Sequence, residues 1–285
     1  MGLKMSEGIV LKRRVRFFML AVVLLIISLI MIYPLFWTLV TAFKTNRELF
    51  LDPWGLPANP TFENFFKALD RGNMGTAVIN SLIVSLGSVA IISVISPMAA
   101  YATSRVEFRF RGAVTNLLIA GFFIAPHAVL VPLLLLLRDM GLVDTHVGLI
   151  LSYVGWHLPF AILFMKAFFV SIPSSLQDSA RVDGLSKYSM YRKIMLPLAL
   201  PTILTVAIIM FIGIWNDFLF AFVFLRSPSN FTVPINLLNF TTGRYGNDYV
   251  AQSAAVLISA IPTIVLYIVF AERIRRGVAF MAFGR

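Results

Sequence analysis

The stretch Phe17–Ala42 reads FFMLAVVLLIISLIMIYPLFWTLVTA and contains no charged side chain. As an α-helix rising 1.5 Å per residue it would be about 39 Å long, more than the ~30 Å hydrocarbon core of a bilayer. The run is much longer than the apolar region of a secretory signal peptide, and it ends in Tyr33-Pro-Leu-Phe-Trp37 without a small-residue cleavage site. It is therefore predicted to be a retained membrane anchor.

Five further apolar stretches follow the first one along the chain. They cover Thr76–Ala102, Ala113–Leu137, Val147–Val170, Thr202–Leu225 and Ala251–Ala271. The 285 residues are 59% hydrophobic and only 13% charged, whereas soluble proteins carry about 25% charged residues. The predicted fold class is an all-α integral membrane protein whose six transmembrane helices lie within residues 17–271 and cross the lipid bilayer.

The net charge of +11 could indicate a nucleic-acid partner. Six spans place both termini on one side, and a cytoplasmic N-terminus puts 17 of the 24 lysines and arginines in cytoplasmic segments. That distribution is the positive-inside rule of membrane proteins, so the charge reflects topology. Residues 1–16 are predicted to be a cytoplasmic N-terminus and residues 272–285 a cytoplasmic C-terminal tail, and no nucleic acid is expected.

Several kinds of chemistry are missing from the sequence. It contains no cysteine, which excludes a disulfide scaffold, a thiolate metal site and a catalytic thiol. His127, His146 and His157 do not have metal-ligand spacing, and no phosphate-binding Gly-x4-Gly-Lys-Ser/Thr motif is present. The chain is predicted to be no enzyme and to bind no metal or cofactor, so any ATP hydrolysis must come from another chain.

The loop between the fourth and fifth stretches, residues 171–197, reads SIPSSLQDSARVDGLSKYSMYRKIMLP. Pro173 should end the preceding helix, and Ser174 with Gln177 three residues later predicts a capping box that begins a new helix. Gly184 suits the left-handed position after a helix end. A short helix over Ser175–Val182 followed by a tight turn is the result.

The end of this helix has the pattern of a Schellman motif. With Gly184 at C′, Ala180 falls at C3 and Leu185 at C″, the apolar pair that accompanies such a stop. A second helix is predicted from Ser186, with Tyr188, Tyr191 and Met195 on one face. An exposed, basic element of this kind is expected to bind a cytoplasmic partner.

The loop resembles the motif Glu-Ala-Ala-x3-Gly-x9-Ile-x-Leu-Pro of the membrane subunits of binding-protein-dependent ABC importers. The matching residues are Asp178-Ser179-Ala180, Gly184, Ile194 and Leu196-Pro197. The spacing is the same throughout, but Asp178 replaces the usual Glu and Ser179 the first Ala. Because Asp is shorter than Glu, a contact made by that carboxylate is expected to be weaker here.

The rest of the chain is similar to the carbohydrate branch of that family, specifically to the smaller membrane subunit of maltose-type transporters. The residues that carry this similarity are Phe43-Lys44, Pro53-Trp54-Gly55-Leu56-Pro57, Asn80-Ser81, Tyr101-Ala102 and Trp215-Asn216-Asp217-Phe218. The resemblance implies a type I ABC importer transmembrane domain in the cytoplasmic (inner) membrane of a prokaryote. It further implies a sugar, in particular an oligosaccharide, as the substrate.

The resemblance also implies the partners and the coupling residues. The partners would be a homologous membrane permease subunit, an ATPase dimer that binds the ATP, and an extracytoplasmic sugar-binding protein. The loop helix would dock into the ATPase, and the tail Arg276–Arg285 would reach toward the same dimer. The residues expected to couple to the ATPase are Asp178, Ser179, Ala180, Asp183, Gly184 and Leu185.

A second group of candidate residues concerns the translocation path or its gate. Asp217 lies about 15 residues into the fifth predicted span, next to Trp215 and Asn216, and Asn80 and Tyr153 are added from other spans. An intramembrane acid is costly and faces protein or water. Asp217 could therefore bind sugar hydroxyls while Trp215 stacks on the sugar, or it could form a gate or a structural contact.

Two alternative functions remain open from the sequence. In the first, the chain is an ion-coupled secondary carrier that uses Asp217 as its coupling acid. In the second, the same ABC machine imports glycerol phosphate or another polyol.

Overall fold

The computed structural model describes residues 2–70, 72–241 and 247–283, and for residues 2–13, 15 and 272–283 it describes the backbone alone. Within these ranges the chain is helical, without a β-strand. The α-helices are α1 (Gly2–Ala42), α2 (Asn46–Leu51), α3 (Glu63–Leu69), α4 (Met74–Arg105), α5 (Arg111–Phe123), α6 (Pro126–Asp139), α7 (His146–Ser171), α8 (Ser174–Val182), α9 (Lys187–Met190), α10 (Leu196–Trp215), α11 (Leu219–Phe224), α12 (Val233–Asn236) and α13 (Tyr249–Phe283).

Five segments of the described residues are helical, long and apolar enough to cross a membrane. They are Arg16–Ala42, Met74–Arg105, His146–Ser171, Lys187–Trp215 and Tyr249–Ala271. The all-helical membrane fold is thus confirmed. The backbone of α13 continues to Phe283, so the predicted tail begins as an extension of the last span; its side chains, together with Gly284 and Arg285, lie outside the described residues.

The third predicted span is not one helix. The run predicted over Ala113–Leu137 consists of α5 and α6, which meet at an angle of 104°. Ile124 and Ala125 between them have extended backbones with ψ of 131° and 140°. Pro126 explains the break, because a proline disfavours the α conformation in the residue before it and cannot donate its own N–H. The described residues contain six candidate spans only if this bent pair counts as one.

The fifth predicted span, Thr202–Leu225, also differs from the prediction. Its helix α10 begins earlier, at Leu196, and ends at Trp215, and α11 begins only at Leu219. The carboxylate of Asp217 accepts the backbone N–H of Phe220, in the first turn of α11, at 3.0 Å. Asp217 therefore lies in a break between two helices, and its predicted position inside a continuous span is wrong.

The chain forms two compact units, and residues 72–239 with 259–283 form the larger one. In this unit α4 lies along α7, and α10 packs against both. Their facing side chains form a buried apolar core that includes Val84, Ile92, Tyr153, Ile162, Phe169, Val206 and Met210. This core holds α7 and α10 in place on either side of the 171–197 loop.

The smaller unit comprises residues 2–70, 240–241 and 247–258. The end of α1 is fixed here by Asn64 of α3, whose amide donates to the carbonyls of Ala42 and Lys44 at 2.8 and 2.7 Å. The side chain of Lys44 is buried and donates to the carbonyl of Asp52 at 2.8 Å. The Phe43-Lys44 motif thus organises the segment that follows the first span.

Candidate functional site

The turn at the end of α8 has the geometry that the sequence predicts. Gly184 has a φ of +73°, a left-handed conformation that glycine adopts without steric cost. The N–H of Leu185 donates to Ala180 and the N–H of Gly184 to Arg181, each at 3.0 Å. These are the two bonds of a Schellman motif. The predicted stop of the loop helix is confirmed.

The start of α8 differs from the predicted capping box. Ser174 is already the first helical residue, Pro173 is the N-cap, and no side chain caps the helix. Gln177 is buried and points toward α4, where its amide lies 3.4 Å from the carbonyl of Arg105. Because the Gln177 side chain is occupied there, it cannot return to the N-terminus of its own helix.

The second helix of the loop is also less regular than predicted. Ser186 caps α9 by accepting the N–H of Ser189 at 3.2 Å, but residues Tyr191–Met195 then form a π-helical turn before α10. Tyr188 is 67% exposed whereas Met195 is fully buried. The prediction that these side chains share a face is wrong, because the wider turn changes the angular spacing.

The predicted coupling residues divide into exposed and buried ones. Asp178, Ser179, Asp183 and Gly184 are exposed, Leu185 is half-buried, and Ala180 is buried against the rest of the molecule. Asp178 lies 3.5 Å from Arg181 of its own helix, an ion pair between exposed groups that contributes little to stability. The exposed side of α8 therefore presents a carboxylate, a hydroxyl and the turn.

An apolar side chain on α8 was not predicted from the sequence. Val182 is 88% exposed at the last turn of the helix, directly before Asp183 and Gly184. Single exposed apolar side chains are ordinary on protein surfaces, so Val182 by itself identifies no binding site. It gives the exposed end of α8 a mixed apolar and polar character.

The structure brings two of the predicted path residues together. The hydroxyl of Tyr153 in α7 donates to Oδ1 of Asp217 at 2.8 Å, and Tyr153 is only 1% exposed. The same oxygen accepts the N–H of Phe220. Asp217 is half-buried, so one part of its carboxylate belongs to this contact. The pair links α7 to the break between α10 and α11.

Trp215 and Asn216, the two residues before Asp217, differ in accessibility. Trp215 is 3% exposed and its ring stacks on Phe211, with centroids 5.7 Å apart. Asn216 is exposed, and its amide donates to the carbonyl of Ile212 at 2.8 Å. In this conformation the indole of Trp215 offers no face to a ligand, whereas Asn216 does have an open side.

Asn80 has a structural environment of its own near the start of α4. It is 6% exposed, and its amide donates to the carbonyls of Ser229 and Phe231 at 2.8 and 3.0 Å. The neighbouring Ser81 accepts the N–H of Val233 at 2.9 Å. The Asn80-Ser81 pair therefore fastens the loop after α11 to α4.

Asp144, before α7, is a residue that the sequence did not single out. Its carboxylate accepts the backbone N–H groups of Arg226 and Ser227 at 2.8 and 3.0 Å, together with the Ser227 hydroxyl. Partial burial raises the pKa of Asp144, but the hydrogen bonds from Ser227, Arg226 and Asn230 outweigh it and lower the pKa to about 2. An ionised Asp144 thus holds the loop that follows α11.

Arg105, the last residue of α4, was likewise not singled out. Its guanidinium donates to the carbonyls of Phe169 and Ile172 at the end of α7, with Nε 3.0 Å from Phe169. Four residues earlier, the hydroxyl of Tyr101 donates to the carbonyl of Lys187 at 3.1 Å. Residues on α4 therefore contact the chain on both sides of α8.

An apolar cavity of about 380 Å³ lies beside α7, between it and the bent pair α5 and α6. Its lining includes Gly121, Ile124, Pro132, Leu136, Trp156 and Phe220. None of the predicted path residues lines it. A sugar needs hydrogen-bonding groups around it, and this almost wholly apolar lining does not provide them.

A protein-family model described as "Binding-protein-dependent transport system inner membrane component" matches residues 95–279, which include the whole 171–197 loop. The chain belongs to this family. It is thus a multi-pass inner-membrane permease, and the resemblance seen in the loop motif is confirmed. The related proteins are transport permeases and not enzymes.

Relatives of this permease are similar over most of its length. It is 33% identical over 257 residues to the diacetylchitobiose uptake system permease protein NgcG of Streptomyces coelicolor, which covers 90% of this chain and 85% of the relative. It is 32% identical over 246 residues to the trehalose transport system permease protein SugB of Mycobacterium tuberculosis, covering 86% of this chain and 89% of the relative.

A solved structure supports the fold of the permease. A chain of a bacterial ABC transporter involved in the import of the acidic polysaccharide alginate superposes with a TM-score of 0.80. The match covers 92% of this permease and 97% of that chain, at 22% sequence identity. The fold is therefore that of an ABC importer membrane subunit.

Proposed function

We propose that this permease forms half of the translocation path of an ATP-driven importer for a sugar, most of all an oligosaccharide. The observation that carries the proposal is α8 with its Schellman turn at Gly184, which presents Asp178, Ser179 and Val182 to a partner. A separate ATPase dimer would bind this end of α8. Closure of that dimer would then displace the 171–197 loop and the helices attached to it.

The proposal includes an orientation. The N-terminus, the 171–197 loop and the C-terminal tail are cytoplasmic, as the positive-inside distribution favours. The loop after α11, which is held by Asn80 and Asp144, then lies on the outer side. An extracytoplasmic sugar-binding protein would deliver the substrate to that side, and a homologous permease subunit would supply the other half of the path.

The sugar substrate is supported by the relatives. The proteins named for diacetylchitobiose and for trehalose cover at least 86% of this chain, and both compounds are disaccharide units. Within the permease we assign Asp217 and Tyr153 to a gate at the break between α10 and α11, with Asn216 as the accessible polar group beside it. The burial of Trp215 favours a structural role for that indole over contact with a sugar.

Uptake by the complete transporter in proteoliposomes tests this function. We expect uptake of radiolabelled trehalose, diacetylchitobiose or another oligosaccharide that requires internal MgATP and the binding protein, is inhibited by vanadate and is unaffected by a protonophore. Protonophore-sensitive uptake without ATP would instead indicate the ion-coupled carrier. ATP-dependent uptake of glycerol phosphate in place of sugars would support an ABC importer but contradict the assignment of a sugar substrate.

A further inference from the structure

The C-terminal end of α4 contacts the chain on both sides of α8. Tyr101 and Arg105 are four residues apart and therefore lie on the same face of α4. Arg105 reaches the chain that enters α8, and Tyr101 reaches Lys187 on the chain that leaves it. We call this arrangement the α4 clasp. It consists of Tyr101, Arg105 and the backbone carbonyls that they bind.

The Arg105 contact adds a donor at the end of α7. The carbonyl of Phe169 accepts the N–H of Ile172 at 3.3 Å, and it cannot accept the N–H of residue 173 as in a continuing helix because Pro173 has none. The guanidinium of Arg105 donates to that carbonyl and also to the carbonyl of Ile172. A cation at the C-terminal end of α7 is also favoured by the helix dipole. The end of α7 is thus held by a side chain of α4.

The Tyr101 contact is supported by packing as well as by a hydrogen bond. Tyr101 is 6% exposed, and its ring lies 5.9 Å from Phe169 and 5.2 Å from Tyr191 between centroids. Phe169 lies before α8 and Tyr191 lies after α9, so the ring of Tyr101 packs against the chain on both sides of α8. Its hydroxyl donates to the carbonyl of Lys187 at 3.1 Å.

A residue of α8 itself also contacts the last turn of α4. The side chain of Gln177 in α8 lies 3.4 Å from the carbonyl of Arg105. Arg105 forms no ion pair with the carboxylates of the described residues; its guanidinium N–H groups donate to backbone carbonyls. Those carbonyls belong to the backbone at the end of α7 and just before α8. A displacement of this backbone should therefore displace the guanidinium of Arg105 with it.

We propose that Tyr101 and Arg105 are positioning residues that make α4 move with the coupling helix. The inference rests on the function proposed for α8. When the ATPase displaces α8, the clasp carries the displacement to the end of α4, which runs without interruption from Met74 to Arg105. The start of α4 holds the loop after α11 through Asn80. One helix therefore connects the ATPase side with the loop on the opposite side.

ATP hydrolysis by the reconstituted transporter, with and without its sugar-loaded binding protein, tests the clasp. We expect Arg105→Gln to retain the ATPase on copurification and to lower the stimulation of hydrolysis by the binding protein at least fivefold. Arg105→Lys should recover at least half of the stimulation, because an ammonium can still donate to the carbonyls of residues 169 and 172. Arg109→Gln, which removes an exposed arginine of the neighbouring loop, is the matched control and should be unchanged.

Tyr101→Phe provides a second test that keeps the ring and removes only the hydroxyl. It should reduce the stimulation by about twofold or more while basal hydrolysis stays normal. Stimulation equal to the parent in both Arg105→Gln and Tyr101→Phe would overturn the proposal. Loss of ATPase attachment in Arg105→Gln, without recovery in Arg105→Lys, would also overturn it by assigning Arg105 to folding alone.

The outcome is distinguishable from a failure of the proposed function. Gly184→Val alters the turn of α8 and not the clasp. If Gly184→Val uncouples the transporter and the clasp variants do not, the function of α8 stands and the clasp proposal fails. If Gly184→Val also leaves coupling intact, the loop is not the coupling element and both proposals fail together.

Discussion

Tyr153 and Asp217 are joined by a hydrogen bond of 2.8 Å from the tyrosine hydroxyl to the carboxylate. The same carboxylate oxygen accepts the N–H of Phe220, so one atom connects α7 with the first turn of α11. Both donors need an acceptor at this place, and neither needs that acceptor to be charged. The chemistry of the pair is therefore compatible with a hinge between α10 and α11.

Replacing Asp217 with Asn should be tolerated. The amide oxygen of Asn can accept from Tyr153 and from the Phe220 N–H, so we expect uptake within about threefold of the parent. Asp217→Ala leaves both donors without that acceptor, at a cost of about 1–3 kcal/mol for each buried group. Vesicle uptake and thermal stability measure the two effects. Complete loss of uptake by a fully assembled Asp217→Asn transporter would contradict the gate assignment.

Gly184 should tolerate Asn far better than Val. A side chain with a Cβ costs roughly 1–2 kcal/mol in the left-handed conformation, and Asn adopts it more readily than a β-branched residue. Apart from Gly184 and its two neighbours in the chain, no heavy atom of the described residues lies within 4 Å of a Cβ built at Gly184, so backbone strain is the main effect within this subunit. We expect normal membrane insertion of both variants and loss of ATPase coupling in Gly184→Val. Copurification and binding-protein-stimulated hydrolysis report the difference.

Asn80 should affect stability and leave sugar recognition unchanged. Asn80→Ala removes two partly buried hydrogen bonds to the carbonyls of Ser229 and Phe231, which should destabilise the permease by about 1–3 kcal/mol. The half-saturation constant for the sugar should stay the same. Asn59→Ala, at an exposed position, is the control. A changed half-saturation constant with unchanged stability would place Asn80 in the translocation path after all.

Asp144 should make a contribution to stability that depends on pH in a defined direction. Its pKa is lowered from 3.8 to about 2, so the ionised form is the one that the fold favours. The contribution is complete above pH ~4 and is lost as the pH falls through 3.8 toward 2. Asp144→Asn removes the charge and tolerates the left-handed φ of 61° at this position.

The measurement for Asp144 compares the thermal inactivation of the parent and of Asp144→Asn across pH. The parent should be more stable by a constant margin between pH 5 and 8, and this margin should shrink below pH 4. A margin that grows on acidification would contradict the assigned direction.

The apolar runs predicted the spans where each run is one helix. α1, α4, α7 and α13 follow directly from long apolar stretches in which Lys166, in the stretch that forms α7, is the one charged residue, because a bilayer selects for length and apolar character. The same criterion could not reveal the breaks at Ile124-Ala125 and at Asp217. Both runs are apolar enough on average for a membrane, and the helix is interrupted by local bonding: Pro126 lacks an N–H at the first break, and the Asp217 carboxylate accepts a backbone N–H at the second.

Parts of the candidate site that depend on neighbouring residues could be predicted from the sequence, whereas parts that depend on the packing of distant helices could not. The stop at Gly184 follows local rules within six residues, and the sequence shows all of them. The bond between Tyr153 and Asp217 needs the packing of α7 against α10 before it can exist. Arg105 and Asp144 bind backbone groups, which every residue possesses, so their partners leave no pattern in the sequence.

The π-helical turn at Tyr191–Met195 links the residue spacing of the loop motif to the direction in which α8 points relative to α10. The N–H of Leu196 donates to the carbonyl of Tyr191, five residues away, so the turn contains one residue more than an α-helix would. One residue corresponds to a rotation of about 100° around a helix axis. Deleting one residue here would convert the π-helical turn to α-helical geometry. Because α10 is packed in the core, the deletion would instead rotate α8 about the axis of α10. If α8 binds the ATPase as proposed, the nine residues between Gly184 and Ile194 set the direction in which α8 points relative to the membrane helices, and a shortened loop would turn α8 away from the ATPase.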